Sequence, residues 1–156
     1  MIGDAGLRNV DLFHTGIVVD DLSAARDALG RDLGLTWREG GAAVRLITDD
    51  GARTVRTAYA LSCEGPHHVE LVQSIDDTLW TAPSPGHAHH LGWWVDDVAA
   101  ADGALRRGGA VHLGTVAITD DAPPMCAYFR LTDGLCVEIV DRAFKKVLLP
   151  DSEAPQ

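Results

Sequence analysis

The chain repeats itself, and that repeat constrains its fold more than any other feature. Phe13-His14-Thr15-Gly16-Ile17-Val18-Val19-Asp20-Asp21-Leu22 aligns with His89-His90-Leu91-Gly92-Trp93-Trp94-Val95-Asp96-Asp97-Val98. His, Gly, Val and the Asp pair recur 76 positions apart. A second pair follows: Val69-Glu70-Leu71-Val72 resembles Val137-Glu138-Ile139-Val140, 68 positions apart. The chemistry-bearing residues therefore come in the order His14, Glu70, His90, Glu138. From His to Glu the first half spans 56 positions and the second 48, so the first carries the longer connection. Self-similarity on this scale means two copies of one supersecondary unit.

Local patterning gives each copy the same content. Residues 12–19 and 89–95 are short, apolar and rich in β-branched or aromatic side chains, which predicts strands. Each runs into an Asp-Asp pair, an N-cap signal, and then into helical spacing. Leu22, Ala25, Leu29 and Leu33 form one apolar stripe, and Val98, Ala101, Ala104 and Leu105 the other. Gly34 and Gly108-Gly109 are placed to stop these helices. Further strands are expected near 43–48, 54–62 and 66–73, then near 110–117, 124–131 and 135–140, with turn chemistry at Asp49-Asp50-Gly51, Gly65-Pro66 and Asp133-Gly134. Each half is thus βαβββ. The prediction is a single domain over 1–156, with one module at about 10–80, a second at about 87–142 and a tail at 143–156. Thr81-Ala82-Pro83-Ser84-Pro85-Gly86 forms the joint, and the last residues, from about Pro150, are read as frayed.

Residues two apart on a strand share a face. His14, Gly16 and Val18 therefore face one way, as do His90, Gly92 and Trp94, leaving Trp93 for the helix side. Glu70 shares its face with His68 and Val72, and Glu138 with Cys136 and Val140. Val69, Leu71, Val137 and Ile139 are left to pack on the helices. A glycine two residues from each histidine makes room for a ligand or for close backbone approach. The repeat selects His90 as the partner of His14, so His87 and His89 are bystanders. Taken singly, a histidine or carboxylate on an apolar strand is most often hydrogen-bonded core or an ion-pair member. Four of them in matched places around one cavity are costly without a cation. A divalent ion with two nitrogen and two oxygen ligands and open water positions satisfies them.

Bulk properties exclude some classes. With 23 acidic against 13 basic side chains the formal charge is -10, a field that repels nucleic acid and anionic membrane. No run approaches a membrane span, and the first sixteen residues lack a signal-length apolar core. Cys63, Cys126 and Cys136 are odd in number and lack CxxC spacing, so reduced, buried thiols and a cytoplasmic location are expected.

The motifs FHTGIVVDDL, HHVELVQ, HHLGWWVDDV and GLCVEIVD, in this order over about residues 10–142, resemble the vicinal oxygen chelate superfamily of glyoxalase, bleomycin-resistance and extradiol dioxygenase proteins. The resemblance implies an α+β fold in which two tandem βαβββ modules form a cup-shaped, mostly antiparallel sheet around a central cavity. It also implies that His14, Glu70, His90 and Glu138 hold one divalent ion (Ni, Co, Zn, Mn, Fe or Mg), and that the chain forms a homodimer. The His/Glu/His/Glu order is most like bacterial glyoxalase I, while HHVELVQ and VEIVDRA are closer to the methylmalonyl-CoA epimerase-like branch. Both imply a lyase or isomerase that chelates vicinal oxygens of a small substrate and moves a proton through an enediolate. Glu138 is the better base and Glu70 the second, with a pKa raised towards neutrality beside Trp94. Trp94, Tyr128, Gly16, Gly92 and His68 are the substrate-binding candidates.

The pattern also departs from these branches. Epimerases of this group use a further glutamate before the second ligand strand, where this chain has only Asp49 and Asp50 in a turn. No glutathione-binding arginine set is identifiable. An Fe(II) extradiol dioxygenase would use His14, His90 and Glu138 as a facial triad, with Tyr128 and Gly134 in suitable places. Its catalytic histidine is missing, because residues 119–121 are Thr-Asp-Asp and His112 lies too far upstream. A non-catalytic, bleomycin-resistance-like binder would stack an aromatic ligand on Trp94, Trp80, Tyr128 and Tyr59. Phe144, Val147 and Leu148 are expected over the cavity mouth or in a dimer contact.

Overall fold

The computed structural model describes residues 5–81 and 87–150. Residues 82–86 of the expected joint at 81–86, and residues 151–156 of the expected tail at 143–156, lie outside them. Ten strands form one curled, mostly antiparallel sheet: β1 Leu12–Val19, β2 Trp37–Gly40, β3 Ala43–Thr48, β4 Gly51–Arg56, β5 Tyr59–Ser62, β6 His68–Gln73, β7 His90–Val95, β8 Val111–Ala117, β9 Cys126–Arg130 and β10 Cys136–Asp141. Their order across the sheet is β2-β5-β6-β1-β7-β10-β9-β8-β3-β4. The helices are α1 Leu22–Leu33, α2 Val98–Arg107 and the short α3 Lys145–Leu148. Two units lie side by side, the second βαβββ and the first with five strands after its helix, joined by the antiparallel pairing of β1 with β7. Within each unit the first and last strands are parallel, β1 with β6 and β7 with β10.

Both helices start as predicted. Asp21 accepts from the Ala24 amide and Asp97 from the Ala100 amide, each at 2.9 Å, satisfying donors that the first turn leaves free. α1 ends at Gly34, whose φ of 71° is left-handed. After α2 the left-handed residue is Gly109, with φ 90°. The two apolar stripes fare differently. Val98, Ala101, Ala104 and Leu105 are all buried against Ala127, Phe129, Val137 and Ile139, with Trp93 packed at the margin. A fully buried Leu or Val contributes about 1.5–3 kcal/mol, so this face anchors the second unit. α1 buries no residue fully, and Leu33 is exposed. Its stripe ends at Leu29 because the chain turns away at Gly34.

The longer first-half connection is a bent hairpin. The strand expected at 54–62 is divided into β4 and β5, and β2 was not anticipated. Gly41, with φ 155°, marks the bend; a methyl group there would collide with the Thr57 carbonyl. Thr57 donates its amide to the Ala42 carbonyl (2.9 Å), and Gln73 donates to that of Ala58 (2.9 Å). Below the bend, β2 and β5 extend the first unit from β6. Above it, β3 leans across to pair with β8 of the second unit and carries β4 on its outer edge. One hairpin thus closes the cup from both sides, and its concave face carries Val18, Val44, Leu46, Val72, Trp80, Val116 and Tyr128.

Candidate metal centre

The four central strands β6-β1-β7-β10 each deliver one residue of the quartet. Their register sets up two crossed rows. Gly16 pairs with Glu70 on one side and His90 on the other, while Gly92 pairs with His14 and Glu138. Each row is therefore Glu, Gly, His, and the rows are related by the repeat. The glycines serve the histidines. A methyl group on Gly16 would overlap the His90 ring, and one on Gly92 would overlap the His14 ring. The space expected for a ligand is filled by the imidazole of the opposite unit, which corrects the substrate-binding role expected of both glycines.

The donor atoms converge. His14 Nε2 and His90 Nε2 are 3.0 Å apart. Glu138 Oε2 lies 3.0 Å from His14 Nε2 and 3.3 Å from His90 Nε2; Glu70 Oε2 lies 3.4 and 3.2 Å from the same atoms. One ligand atom from each residue falls within 4.8 Å of all the others. Metal–ligand bonds of about 2.0–2.1 Å place neighbouring ligands of an octahedral ion about 3 Å apart, so these edges suit a divalent cation. His14, His90 and Glu138 are buried.

Charge is concentrated here. Burial by itself lowers the His14 pKa, but Glu70 and Glu138 outweigh it and push it up to about 10. His90 is likewise opposed by burial and raised by Glu138 and Glu70. Burial pushes both carboxylates up, yet the two histidines hold each below the usual carboxylate range. This corrects the expected upward shift of Glu138, because its partners are cationic rather than apolar.

A cavity of about 300 Å³ opens beside the quartet. His14, Glu70 and Glu138 lie on its floor, and Phe13, Tyr59, Trp80 and Tyr128 supply aromatic walls. Phe144, Val147 and Leu148 also line it. Among the described residues that line it, none is Lys or Arg. Tyr128 is buried, edge-on to His90 (5.2 Å between centroids) and to Trp80 (5.6 Å). Its hydroxyl pKa is pushed well up by burial and by Glu138.

Two substrate-binding candidates lie elsewhere. Trp94 stacks on Phe13 at 3.7 Å and 11°, inside a cluster with Leu61, Val140 and Leu149. A register shift between Leu12 and His14 lets Phe13 reach the cavity in its place. His68 turns away, its Nδ1 2.7 Å from the Ser62 carbonyl oxygen. Cys126 was missed: it lines the cavity, whereas Cys136 does not. The cross-strand pairing of Cys126 with Val140 and of Tyr128 with Glu138 puts both on Glu138's face. His112 sits apart, beside Asp49 (3.2 Å) and Thr115 (2.8 Å).

The fold agrees with the comparisons. The family model of the Glyoxalase/Bleomycin resistance protein/Dioxygenase superfamily matches residues 13–128, and the chain belongs to that superfamily. Among solved structures it is similar to methylmalonyl-CoA epimerase from Mycobacterium tuberculosis, with 21% identity over 84% of this chain and 87% of that one and a TM-score of 0.56. It is also similar to the Streptomyces coelicolor epimerase in complex with 2-nitronate-propionyl-CoA, with 20% identity over 86% and 98% and a TM-score of 0.59. A hypothetical protein of Bacillus halodurans C-125 aligns over 96% of this chain and 100% of its own, with 15% identity and a TM-score of 0.58. No curated protein matches the sequence. Among the described residues, no helix is long and apolar enough to cross a membrane.

Proposed function

We propose that this chain is a divalent-metal-dependent isomerase or lyase, with His14, Glu70, His90 and Glu138 as the ligands. The observation that carries this reading is the convergence of two imidazole nitrogens and two carboxylate oxygens beside a cavity. An N2O2 set suits borderline ions such as zinc, nickel or cobalt. An ion held there would draw electron density from two vicinal oxygens of a substrate and so acidify the carbon between them.

The remaining work falls to the chain. Glu70 and Glu138 come from the outer two of the four ligand strands and flank the histidines. Each turns Oε2 to the imidazoles and has a second oxygen with which to take or return a proton. Glu138, with Tyr128 directly across the strand pair, is the primary base in this reading, and Glu70 the second. The aromatic and aliphatic walls exclude water and fit the apolar part of a small substrate. Among the described lining residues the wall offers no cation, so a substrate carboxylate would find its positive partner at the quartet. No glutamate takes the place of the further epimerase base, since Asp49 is engaged by His112 and Arg106. That favours one-carboxylate or Glu70–Glu138 proton transfer over a scheme with a third acid.

Metal content of the untagged protein by mass spectrometry, beside His14→Ala and Glu138→Ala, tests the reading. About one ion per chain, lost in both variants, supports it. Screening 2-hydroxyacyl thioesters, acyl-CoA esters and catechols for deuterium exchange or turnover then follows. A wild type that takes up no ion even after reconstitution refutes it. The four aromatic walls would then favour the bleomycin-resistance-like reading, a binder without chemistry.

A further inference from the structure

His89, set aside in the sequence as a bystander, is tied to the quartet. Its Nδ1 lies 2.9 Å from Nδ1 of His90, and its Nε2 lies 2.8 Å from the carbonyl oxygen of Leu79. Its backbone amide donates to the Gly16 carbonyl at 2.7 Å, so both main chain and ring are held. The rings meet nearly at right angles, 88°.

Donor and acceptor logic then fixes the protons. A carbonyl oxygen only accepts, so His89 Nε2 carries a hydrogen. In a neutral His89, Nδ1 is left as an acceptor. His90 Nδ1 is then the donor, so once an ion displaces the proton that the carboxylates hold at His90 Nε2, that atom, which faces His14, Glu70 and Glu138, has its lone pair free to ligate. This is the one assignment in which every atom of the chain has a partner and His90 can ligate through Nε2. His14 has no such support: its Nδ1 is buried without a hydrogen-bond partner, and its ring is instead held edge-on by Phe13 at 4.4 Å. The repeat is therefore symmetric in its ligands and asymmetric in what stands behind them.

We propose that His89 is a positioning residue that locks His90 in the Nδ1-protonated form, presenting Nε2 to a divalent ion. This rests on the metal-dependent reading above. Partners that orient a ligating histidine are commonly worth about 10–100-fold in metal affinity.

The test compares zinc affinity of the wild type, His89→Leu and His89→Asn by competition with a chromophoric chelator, on metal-free protein. An asparagine Oδ1 falls near the position of the histidine Nδ1 and keeps the acceptor; leucine removes it. A loss of about 10–100-fold in His89→Leu, largely recovered in His89→Asn, with both metal-free variants melting alike, supports the proposal. Equal affinity of wild type and His89→Leu overturns it and leaves the quartet reading intact. A wild type that binds no zinc overturns both. Nitrogen-15 NMR of the zinc-loaded wild type is independent of variant folding: a proton on His90 Nδ1 supports the proposal, and one on Nε2 overturns it.

Discussion

Gly92 and His14 stand opposite each other across the β1–β7 pair, and the imidazole of His14 occupies the space that a side chain at position 92 would fill. The same holds for Gly16 and His90. The dimension of the quartet is thus set by what two residues lack. In Gly92→Ala the ring must move or the strands must separate, at a cost of about 1–3 kcal/mol for overpacking. We expect lower stability in chemical denaturation together with loss of metal uptake. Gly103→Ala is the control, since the added methyl meets only the tip of Arg107, at 3.2 Å. In mid-helix it should stabilise by about 0.5–1 kcal/mol and leave metal uptake unchanged. A Gly92→Ala protein with wild-type metal content would contradict the crossed-row geometry.

Metal uptake should release protons. In the metal-free chain His14 holds its proton up to about pH 10, because Glu70 and Glu138 overcome the opposing effect of burial. A ligating imidazole must be neutral. The sign is therefore fixed: apparent affinity rises with pH through the neutral range, by about tenfold per unit for each proton displaced. It levels off above the His14 pKa. Calorimetric titration with zinc in two buffers of different ionisation enthalpy counts the protons. A count near zero at pH 7 would contradict this.

Glu138→Gln and Glu70→Gln should separate base from ligand. If Glu138 moves the proton, its amide variant should lose about 10²–10⁴-fold in turnover on whichever substrate the screen yields. Glu70→Gln should lose less. Both keep an oxygen on the quartet, so metal content measured on the same samples shows whether the loss lies in the ion or in the proton transfer. Equal losses in the two variants would contradict the assignment of Glu138 as the primary base.

Asp11 gives a prediction away from the cavity. It is buried, and it accepts from Arg8 and Arg142, each at 2.9 Å. Burial raises its pKa, but these two arginines outweigh it and hold the carboxyl below 3.8. A depressed folded pKa stabilises above the unfolded value and loses that contribution as pH falls through the folded one. Asp11→Asn should therefore cost about 1–3 kcal/mol at pH 7, with the difference closing below about pH 4. Urea denaturation at several pH values measures it. A difference that stays constant into the acid range would show that the ion pairs contribute nothing.

Much of this molecule was legible in the chain. The offset repeat paired His14 with His90 and Glu70 with Glu138 because two copies of one unit keep their ligands at matched strand positions. The Asp-Asp pairs marked both helix starts because N-capping is local chemistry. The α2 stripe was read correctly, and Leu33 was not, since the chain's departure at Gly34 depends on where β2 goes. Alternation along β1 could not foresee Phe13 in the cavity, because a register shift breaks the parity that the argument used.

The sequence by itself determined the repeat, the order of the strands' chemistry and the identity of four converging side chains, all of which are one-dimensional patterns. Tertiary structure alone decided what fills the space beside each glycine, which aromatic rings wall the cavity, and that a hydrogen bond with His89 backs His90 while, among the described residues, none reaches His14 Nδ1. Those outcomes depend on register between strands far apart in sequence and on a hairpin that crosses from one unit to the other. A periodicity within one strand carries no information about the residue opposite.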